Sequence, residues 1–360
     1  MLAVRQAAAV VVVGEAGGER LPPPQESTTL VSDDGEVSEN SKVWRIGMSQ
    51  AASRISFTTC LMLIALAVLF AGCNKTEKPS FTTFSSPDEA GNGLLNAAKD
   101  GDPNAVLAIF GAGSKDVIFS GDAVQDKATV GAFAKGYEEM HRWRKMTDGS
   151  KVLLIGAQNF PFPIPLKKNE SGQWFFDAAG GKAEILRRRI GRNELSVIDV
   201  CGALADAQAD YYSRSHADGS TKQFAVKFIS DPGQQNGLYW DSPDGQPKSP
   251  LGPLVAYATS EGYSSKPNSH QPFYGYYFHM LKGQGSHAPG GAKDYLNGGK
   301  MVGGFAFIAY PAEYGNSGVM TFIMNQDGLL LQKDLGKTTT ETASAMTEFD
   351  PDGSWNIVQD

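Results

Sequence analysis

The chain has 360 residues and a formal net charge of −7 at pH 7, because 39 Asp and Glu residues outnumber 32 Lys and Arg. This negative balance argues against a nucleic-acid-binding surface, which needs an excess of positive charge. Glycine is abundant, with 41 residues, and is most frequent in the last third of the chain, which favours short strands and tight turns over a helical bundle.

An uncharged segment near the amino-terminal end runs from Ile55 to Gly72, with Arg54 before it and Cys73 after it. Its apolar core, Leu61–Phe70, is shorter than the roughly 20 apolar residues that a membrane span needs. It fits a secretory signal, whose apolar region has about 7–15 residues and ends in small residues. A retained anchor helix and a buried helix are the alternatives.

The residues Phe70-Ala71-Gly72-Cys73 resemble the lipobox of bacterial lipoproteins, although Phe70 stands where leucine is more usual. This resemblance implies that residues 48–73 comprise a signal peptide and its lipobox, that cleavage occurs before Cys73 and that its thiol carries a diacylglycerol. We therefore expect the protein to be held on a membrane by the lipidated Cys73, in the bacterial cell envelope and facing the periplasm. Asn74 favours the outer membrane where a cell has two membranes.

Cysteine usage limits the chemistry of the rest of the chain. Cys60 would leave with the signal peptide and Cys73 would be lipidated, so Cys201 would remain alone. An internal disulfide and a multi-cysteine metal site are then excluded. We expect Cys201 to be a small buried residue on a helix, with a reactive thiol as the alternative.

Residues 1–47 contain a segment, positions 14–41, that is rich in Gly, Pro, Ser and acidic residues, a composition that cannot bury enough apolar surface to offset chain entropy. We interpret them as a disordered leader or as a start assigned too early, since Met48 begins a signal peptide of normal proportions. Residues 74–84 are expected to be a linker. The remainder is long enough for two domains.

Residues 85–193 predict a first α+β domain. Ser85 or Ser86 would cap a helix that begins at Pro87, and Gly101-Asp102-Pro103 would separate it from a second helix. Another helical period covers residues 126–143. Strands are predicted at residues 116–121, 150–157 and 172–179, with an extended proline-rich edge segment at 160–166 and a helix at 181–196.

This order of helices and strands resembles the cone-shaped nuclear-transport-factor-2-like (cystatin-like) domains. Such cones often hold a ligand between sheet and helices, so the resemblance implies a possible ligand cavity. A purely structural or docking role is the alternative. The basic run at 187–192, with Arg187, Arg188 and Arg192 as candidate binding residues, predicts either a solvated helix face or a contact with an anion or a lipid headgroup.

Residues 195–360 predict a second α+β domain. A helix rich in alanine covers residues 194–214, and strands are predicted at 305–310, 319–324 and 329–333. Asn325-Gln326-Asp327-Gly328 predicts a hairpin turn between the last two strands. Apolar residues on both faces of these strands indicate a sheet that is covered on both sides.

This second half resembles the globular heads of type IV pilins and pseudopilins. The resemblance rests on Gly275-Tyr276, Phe278 and a late hairpin with Pro311, Tyr314-Gly315, Ser317-Gly318, Thr321-Phe322 and Gly328. The pilin assembly helix is missing, so filament assembly by the usual route is not expected.

Several long strings extend the resemblance to nearly the whole chain from residue 85. Among them are "FPFPIPL", "WFFDAAGGKAEILRRRIGRNEL" and "GGFAFIAYPAEYGNSGVMTFIMNQDGLLLQKDLG". They are similar to an uncharacterised bacterial family, domain-of-unknown-function family 2950. This resemblance implies no activity.

No pattern in the chain specifies a reaction. The five histidines lack metal-binding spacing, and there is no nucleophile elbow, phosphate loop or dinucleotide fingerprint. We therefore expect no metal and no cofactor. A periplasmic hydrolase that uses His279, His287 and Glu313 for acid–base chemistry is an alternative, as is their role as surface polar residues.

We accordingly expect an α+β protein of two domains that acts as a non-enzymatic binding or docking module for an unknown envelope protein. The candidate docking residues are Tyr276, Tyr310 and Tyr314, because aromatic residues among glycines suit contact surfaces. These tyrosines could instead cover the sheet. A small-ligand binder that uses the cavity of the first domain is the other alternative.

Overall fold

The computed structural model describes residues 81–214, 222–243, 245–264 and 271–359, all of which lie in one compact unit of the chain. The predictions for the leader, the signal peptide and the lipidation of Cys73 lie outside the described residues. Among the described residues, no helix is both long enough and apolar enough to cross a bilayer. The described part combines helices with antiparallel sheets, so it is an α+β fold.

The first two helices begin and end where their capping residues predict. Helix α1 (Pro87–Asp100) is capped by the Ser86 side chain, which accepts a hydrogen bond from the backbone N–H of Glu89. Gly101, with φ of 69°, ends α1, and Asp102 caps helix α2 (Pro103–Phe110). The predicted division into two helices is confirmed.

Two local predictions for the next segment are wrong. The stretch predicted as a strand at 116–121 contains the short helix α3 (Lys115–Ile118), whose last two carbonyl groups accept hydrogen bonds from Arg189. Helix α4 (Ala123–Glu139) ends before its predicted limit, and His141–Lys145 forms strand β1. In both places long-range pairing decides the structure against the local pattern.

The first sheet is antiparallel and has the strand order β1-β2-β4-β5, with β3 paired to β2. Its remaining strands are β2 (Lys151–Ile155), β3 (Phe160–Pro161), β4 (Leu166–Lys168) and β5 (Trp174–Phe176). The short proline-containing β3 agrees with the predicted extended segment. One face of this sheet packs with α1, α2 and α4 around a core that includes Leu153, Phe176 and Tyr137.

The long helix α5 (Ala178–Ser213) connects the two halves of the protein. It has 36 residues, begins after the capping Asp177, and contains both helices that the sequence predicts at 181–196 and 194–214. Its first turns contact the first core through Ala178, whereas Val197–Tyr211 contribute to a second core. The predicted domain boundary between Asn193 and Leu195 therefore lies inside one continuous helix.

The second half is built on an antiparallel sheet with the order β15-β13-β12-β11-β6. Its strands are β6 (Tyr276–Leu281), β11 (Ala306–Pro311), β12 (Met320–Asn325), β13 (Leu330–Asp334) and β15 (Asn356–Ile357). Gly328, with φ of 75°, lies in the turn between β12 and β13. The three predicted strands and their hairpin turn are confirmed.

Smaller elements complete the second half. They are helices α6 (Gly252–Glu261) and α7 (Thr339–Ala345), and strands β7 (Gly283–Gln284), β8 (Lys293–Asp294), β9 (Leu296–Asn297), β10 (Lys300–Met301) and β14 (Glu348–Phe349). All six residues of β11 are buried, as predicted for a sheet covered on both faces. Helix α5 contacts β12, and α7 contacts β11.

Candidate functional site

A network of buried polar side chains joins the two halves, and Asp122 lies at its centre. One carboxylate oxygen caps α4 by accepting hydrogen bonds from the backbone N–H groups of Val124 and Gln125. The other oxygen accepts a hydrogen bond of 2.7 Å from the Tyr263 hydroxyl and one of 3.3 Å from the N–H of Gly275. A single carboxylate therefore holds a helix start of the first half against two segments of the second.

Asn193 of α5 makes the second connection in this polar network. Its side-chain oxygen accepts a hydrogen bond from Gln125, and its side-chain nitrogen donates one of 2.8 Å to the carbonyl of Ser317. Gly275 permits this approach, since a Cβ atom there would lie 2.8 Å from the Asn193 nitrogen and 2.9 Å from the Ser317 Cβ. Its φ of 72° also favours glycine.

The third connection is Arg189, which is buried and only 5% exposed. Its guanidinium donates hydrogen bonds to the side chain of Asn316 and to the backbone carbonyls of Val117 and Ile118. Burial lowers the pKa of this guanidinium, and the nearby carboxylate of Asp126 opposes that shift. Since an arginine begins from a very high pKa, Arg189 remains a fixed positive charge.

Glu194, the residue that follows Asn193 in α5, completes the network. One of its carboxylate oxygens accepts hydrogen bonds of 2.9 Å from the N–H groups of Val319 and Met320, at the start of β12. Tyr276 lies beside it and donates to the carbonyl of Met320. Burial, followed by the charge of Glu194, raises the pKa of Tyr276, so this phenol stays protonated.

A cavity of about 720 Å³ opens between helices α1 to α4, and we call it the helical groove. Apolar side chains of α1, α2 and α4 line the groove, together with Phe119, which follows α3. Those of α2 and α4 include Pro103, Val106 and Val130. The volume is within the range of about 300–1,000 Å³ that small-molecule sites occupy.

One side of the groove is polar and is formed by both halves of the protein. Glu313 and Asn316, which belong to the loop after β11, line it together with Asp126 of α4. Asp126 accepts hydrogen bonds from the N–H and hydroxyl of Ser120, and burial raises its pKa. Asn316 also contacts Arg189, so this side of the groove is continuous with the polar network.

Lysines of three helices also line the groove. Lys99 pairs with Glu138, whereas the side chains of Lys115 and Lys127 make no ion pair or hydrogen bond with any described residue. They lie on α3 and α4, and both are exposed. The groove thus combines an apolar lining, a polar side and two cations available to a ligand.

The three tyrosines proposed for docking mostly cover the sheet. Tyr276 is completely buried and Tyr310 is 9% exposed, with its ring against that of Tyr277. Tyr314 is half-buried, and its hydroxyl donates to Asp334. The alternative in which these tyrosines cover the sheet therefore agrees better with their burial.

The candidate arginines of α5 have different surroundings. Arg187 and Arg188 both pair with Glu184, and Arg188 also donates to the carbonyl of Pro161. Arg192 is exposed and makes no ion pair with a described residue. The pair with Glu184 agrees with a solvated helix face for Arg187, whereas Arg188 is half-buried and lies over the ring of Phe160.

The three residues proposed for a hydrolase have separate partners. His279 bonds through Nε2 to the carbonyl of Met346, and His287 pairs through Nδ1 with Asp350 at 3.0 Å. Glu313 accepts a hydrogen bond from Asn316. No hydrogen bond among the described residues joins these three side chains. The described residues likewise hold no cluster of three or more His, Cys, Asp or Glu suited to a metal ion.

Cys201 is completely buried, as the sequence predicts, and burial raises its pKa. The residues that sequence reasoning missed are Asp122, Asp126, Asn193 and Asn316. Two of them lie in strings that carry the family resemblance, "RNEL" and "YGNSG". The strings contain Asn193 and Asn316 but give no indication that the two segments lie close together in the fold.

A family model described as "Protein of unknown function (DUF2950)" matches residues 81–358. The chain belongs to this family. No curated protein and no solved structure matches the chain. The region matched to the DUF2950 family includes the helical groove and the polar network, so both are features of its domain in this chain.

Proposed function

We propose that this protein is a lipid-anchored, non-enzymatic binding module of the bacterial cell envelope, and that it binds a small ligand in the helical groove. The observation that carries the proposal is the groove itself, since it has an apolar lining, a polar side and a volume of about 720 Å³. Sites of this size and composition suit small molecules. The ligand class favoured by the lining has an apolar body and a polar end.

The polar side supports binding over catalysis. Asp126, Glu313 and Asn316 are each held by a hydrogen bond within the protein, and Arg189 is committed to Asn316 and to the end of α3. Such groups are oriented in advance to recognise a polar ligand atom. The burial of Tyr276 and Tyr310 likewise favours the groove over a docking surface centred on tyrosines.

The fold resemblances belong to the same proposal. Helices α1, α2 and α4, packed on an antiparallel sheet, support a nuclear-transport-factor-2-like first domain. The second half of α5, packed on the sheet from β6 to β15, supports a pilin-head-like second domain. We propose residues 85–193 and 195–360 as these two domains, which share α5.

The groove can be tested with anilinonaphthalenesulfonate, a fluorescent anion that has an apolar body. The purified protein should bind the dye, and Gly131→Trp should weaken binding at least tenfold because the indole would fill the groove beside Val130. Gly131→Ala should bind normally. Gly191→Trp is the matched control, since Gly191 lies on α5 outside the lining and has no neighbour within 4 Å of an added Cβ. Equal binding by Gly131→Trp and Gly191→Trp would contradict the groove as the site.

The lipid anchor is tested separately by palmitate labelling in expressing cells. Cys73 stands at the end of a segment that resembles a lipobox, so the wild type should incorporate label and Cys73→Ala should not. Cys201→Ala, which replaces a buried thiol, serves as the control and should label normally. Equal labelling of the wild type and Cys73→Ala would remove the anchor from the proposal. If only the wild type is labelled, fractionation of the two membranes would locate the labelled protein.

A further inference from the structure

Strand β1 carries an unusual concentration of positive charge. Arg142, Arg144 and Lys145 are all exposed, and none makes an ion pair or a side-chain hydrogen bond with a described residue. We call these three residues the basic rim. No acidic residue occurs from Met140 to Met146, although the chain as a whole has a net charge of −7. The basic rim is therefore a local exception to the overall charge.

The basic rim lies at the edge of the first sheet and is accompanied by exposed apolar side chains. Among the described strands, β1 pairs with β2 alone. Met140 and Met146, which flank the strand, are 40% and 37% exposed, and Phe160 across β2 is 55% exposed. Two exposed methionines thus flank the three cations directly, whereas Phe160 lies on the far side of β2 beneath the guanidinium of Arg188.

Charged side chains on an edge strand also prevent pairing with strands of other molecules. That role explains lysines and arginines at the edge, but it does not explain exposed methionines at both ends of the same strand. Cationic residues mixed with large apolar residues are typical of surfaces that rest on a membrane interface. Charge complementarity then requires an anionic membrane.

We propose that the basic rim lies on the surface of an anionic lipid bilayer, with Met140 and Met146 reaching into the headgroup region. The geometry of the chain permits this contact. Phe81 stacks on Phe175 of β5, three strand spacings or about 14 Å from β1. Cys73 precedes Phe81 by eight residues, a tether of at most about 28 Å. An anchor at Cys73 therefore leaves β1 within reach of the membrane.

This inference rests on the proposed lipid anchor only for the position of the protein, and the experiment separates the two. The full chain, purified from expressing cells, carries an environment-sensitive fluorophore at Met146→Cys and is reconstituted into vesicles. A second sample carries the fluorophore at Val302→Cys, a matched site that is 36% exposed in the second half. Retention on vesicles of phosphatidylcholine alone reports the anchor.

In vesicles that contain phosphatidylglycerol, the emission at position 146 should shift to shorter wavelength, whereas the emission at position 302 should not. Adding Arg142→Gln and Arg144→Gln should abolish the shift, because each cation near an anionic surface strengthens contact on the order of fivefold. Lys293→Gln with Lys300→Gln removes the same charge from exposed sites elsewhere and should leave the shift intact. For the protein without these substitutions, salt at about 1 M should abolish the emission shift at position 146, because it screens the attraction between the basic rim and the anionic lipids.

Several outcomes overturn the inference while leaving the anchor in place. An unchanged emission at position 146 on anionic vesicles would mean that the basic rim only guards the sheet edge. Equal shifts at positions 146 and 302 would mean that the whole protein adsorbs without orientation. The opposite outcome separates the two proposals as well: loss of retention on neutral vesicles, with the shift at position 146 preserved on anionic ones, would contradict the lipid anchor and support membrane contact by the basic rim.

Discussion

Asn193 connects the two halves through both ends of its amide. It is completely buried, it accepts a hydrogen bond of 2.9 Å from Gln125, and it donates one of 2.8 Å to the carbonyl of Ser317. A buried amide that loses its partner costs more than the net contribution of a surface hydrogen bond. The side chain therefore contributes to stability as well as to the geometry beside the groove.

Replacing this amide should destabilise the whole protein. We expect Asn193→Ala to lower the free energy of unfolding by about 2–3 kcal/mol, because the half-buried amide of Gln125 and the buried carbonyl of Ser317 would both lose their partner. Urea unfolding measures the change. Asn104→Ala is the control and should change stability by less than about 0.5 kcal/mol, since Asn104 is exposed. A loss at Asn193 no larger than that of the control would contradict the role of the network.

Among the elements, those with strong local signals could be predicted from the sequence. Ser86, Gly101 and Asp102 define the ends of α1 and α2 through capping, which depends on neighbouring residues alone. The hairpin between β12 and β13 follows from apolar strands on either side of a turn that contains Gly328. In these elements the local pattern and the fold agree.

The elements that could not be predicted depend on distant partners. The carbonyls at the end of α3 accept hydrogen bonds from Arg189, which lies 71 and 72 residues further along the chain. Strand β1 is polar and exposed at four of its five positions, so it carries no alternation to indicate a strand. Pairing with β2 alone determines its conformation.

The candidate site could not be predicted from the sequence either, because its residues are far apart along the chain. Asp122 is 141 residues from Tyr263, and Asn193 is 124 residues from Ser317. Each of these residues, considered in its own segment, resembles an ordinary cap or a helix-surface polar residue. Only the fold brings them together and places Asp126, Glu313 and Asn316 on one side of the groove.

The molecule as a whole has two apolar cores, and helix α5 and the polar network form a framework that the two cores share. The first core contains Leu153 and Phe176, and the second contains Val197 and Phe322. Helix α5 contributes to both cores, and the polar network ties α4 to the loop before β12. The two proposed domains therefore share helix α5, which contains the proposed boundary between them.

This shared framework predicts that both halves unfold together. If the second half unfolded alone, Asn193, Asp122 and Arg189 would each lose a hydrogen-bond partner, and the apolar face of α5 that belongs to the second core would be exposed, which makes a half-folded state costly. We expect one calorimetric transition, with equal calorimetric and van't Hoff enthalpies. Amides of β2 and of β12 should show the same opening free energy in hydrogen exchange.

The Asn193→Ala variant provides the decisive comparison for this cooperativity. Because the amide stabilises both halves, its loss should lower the opening free energies of β2 and β12 by the same amount. Gly202→Ala on α5, where an added Cβ has no neighbour within 4 Å, is the control and should lower neither. A decrease confined to one sheet, or two separate calorimetric transitions in the wild type, would show that the halves unfold independently and that α5 transmits no stability between them.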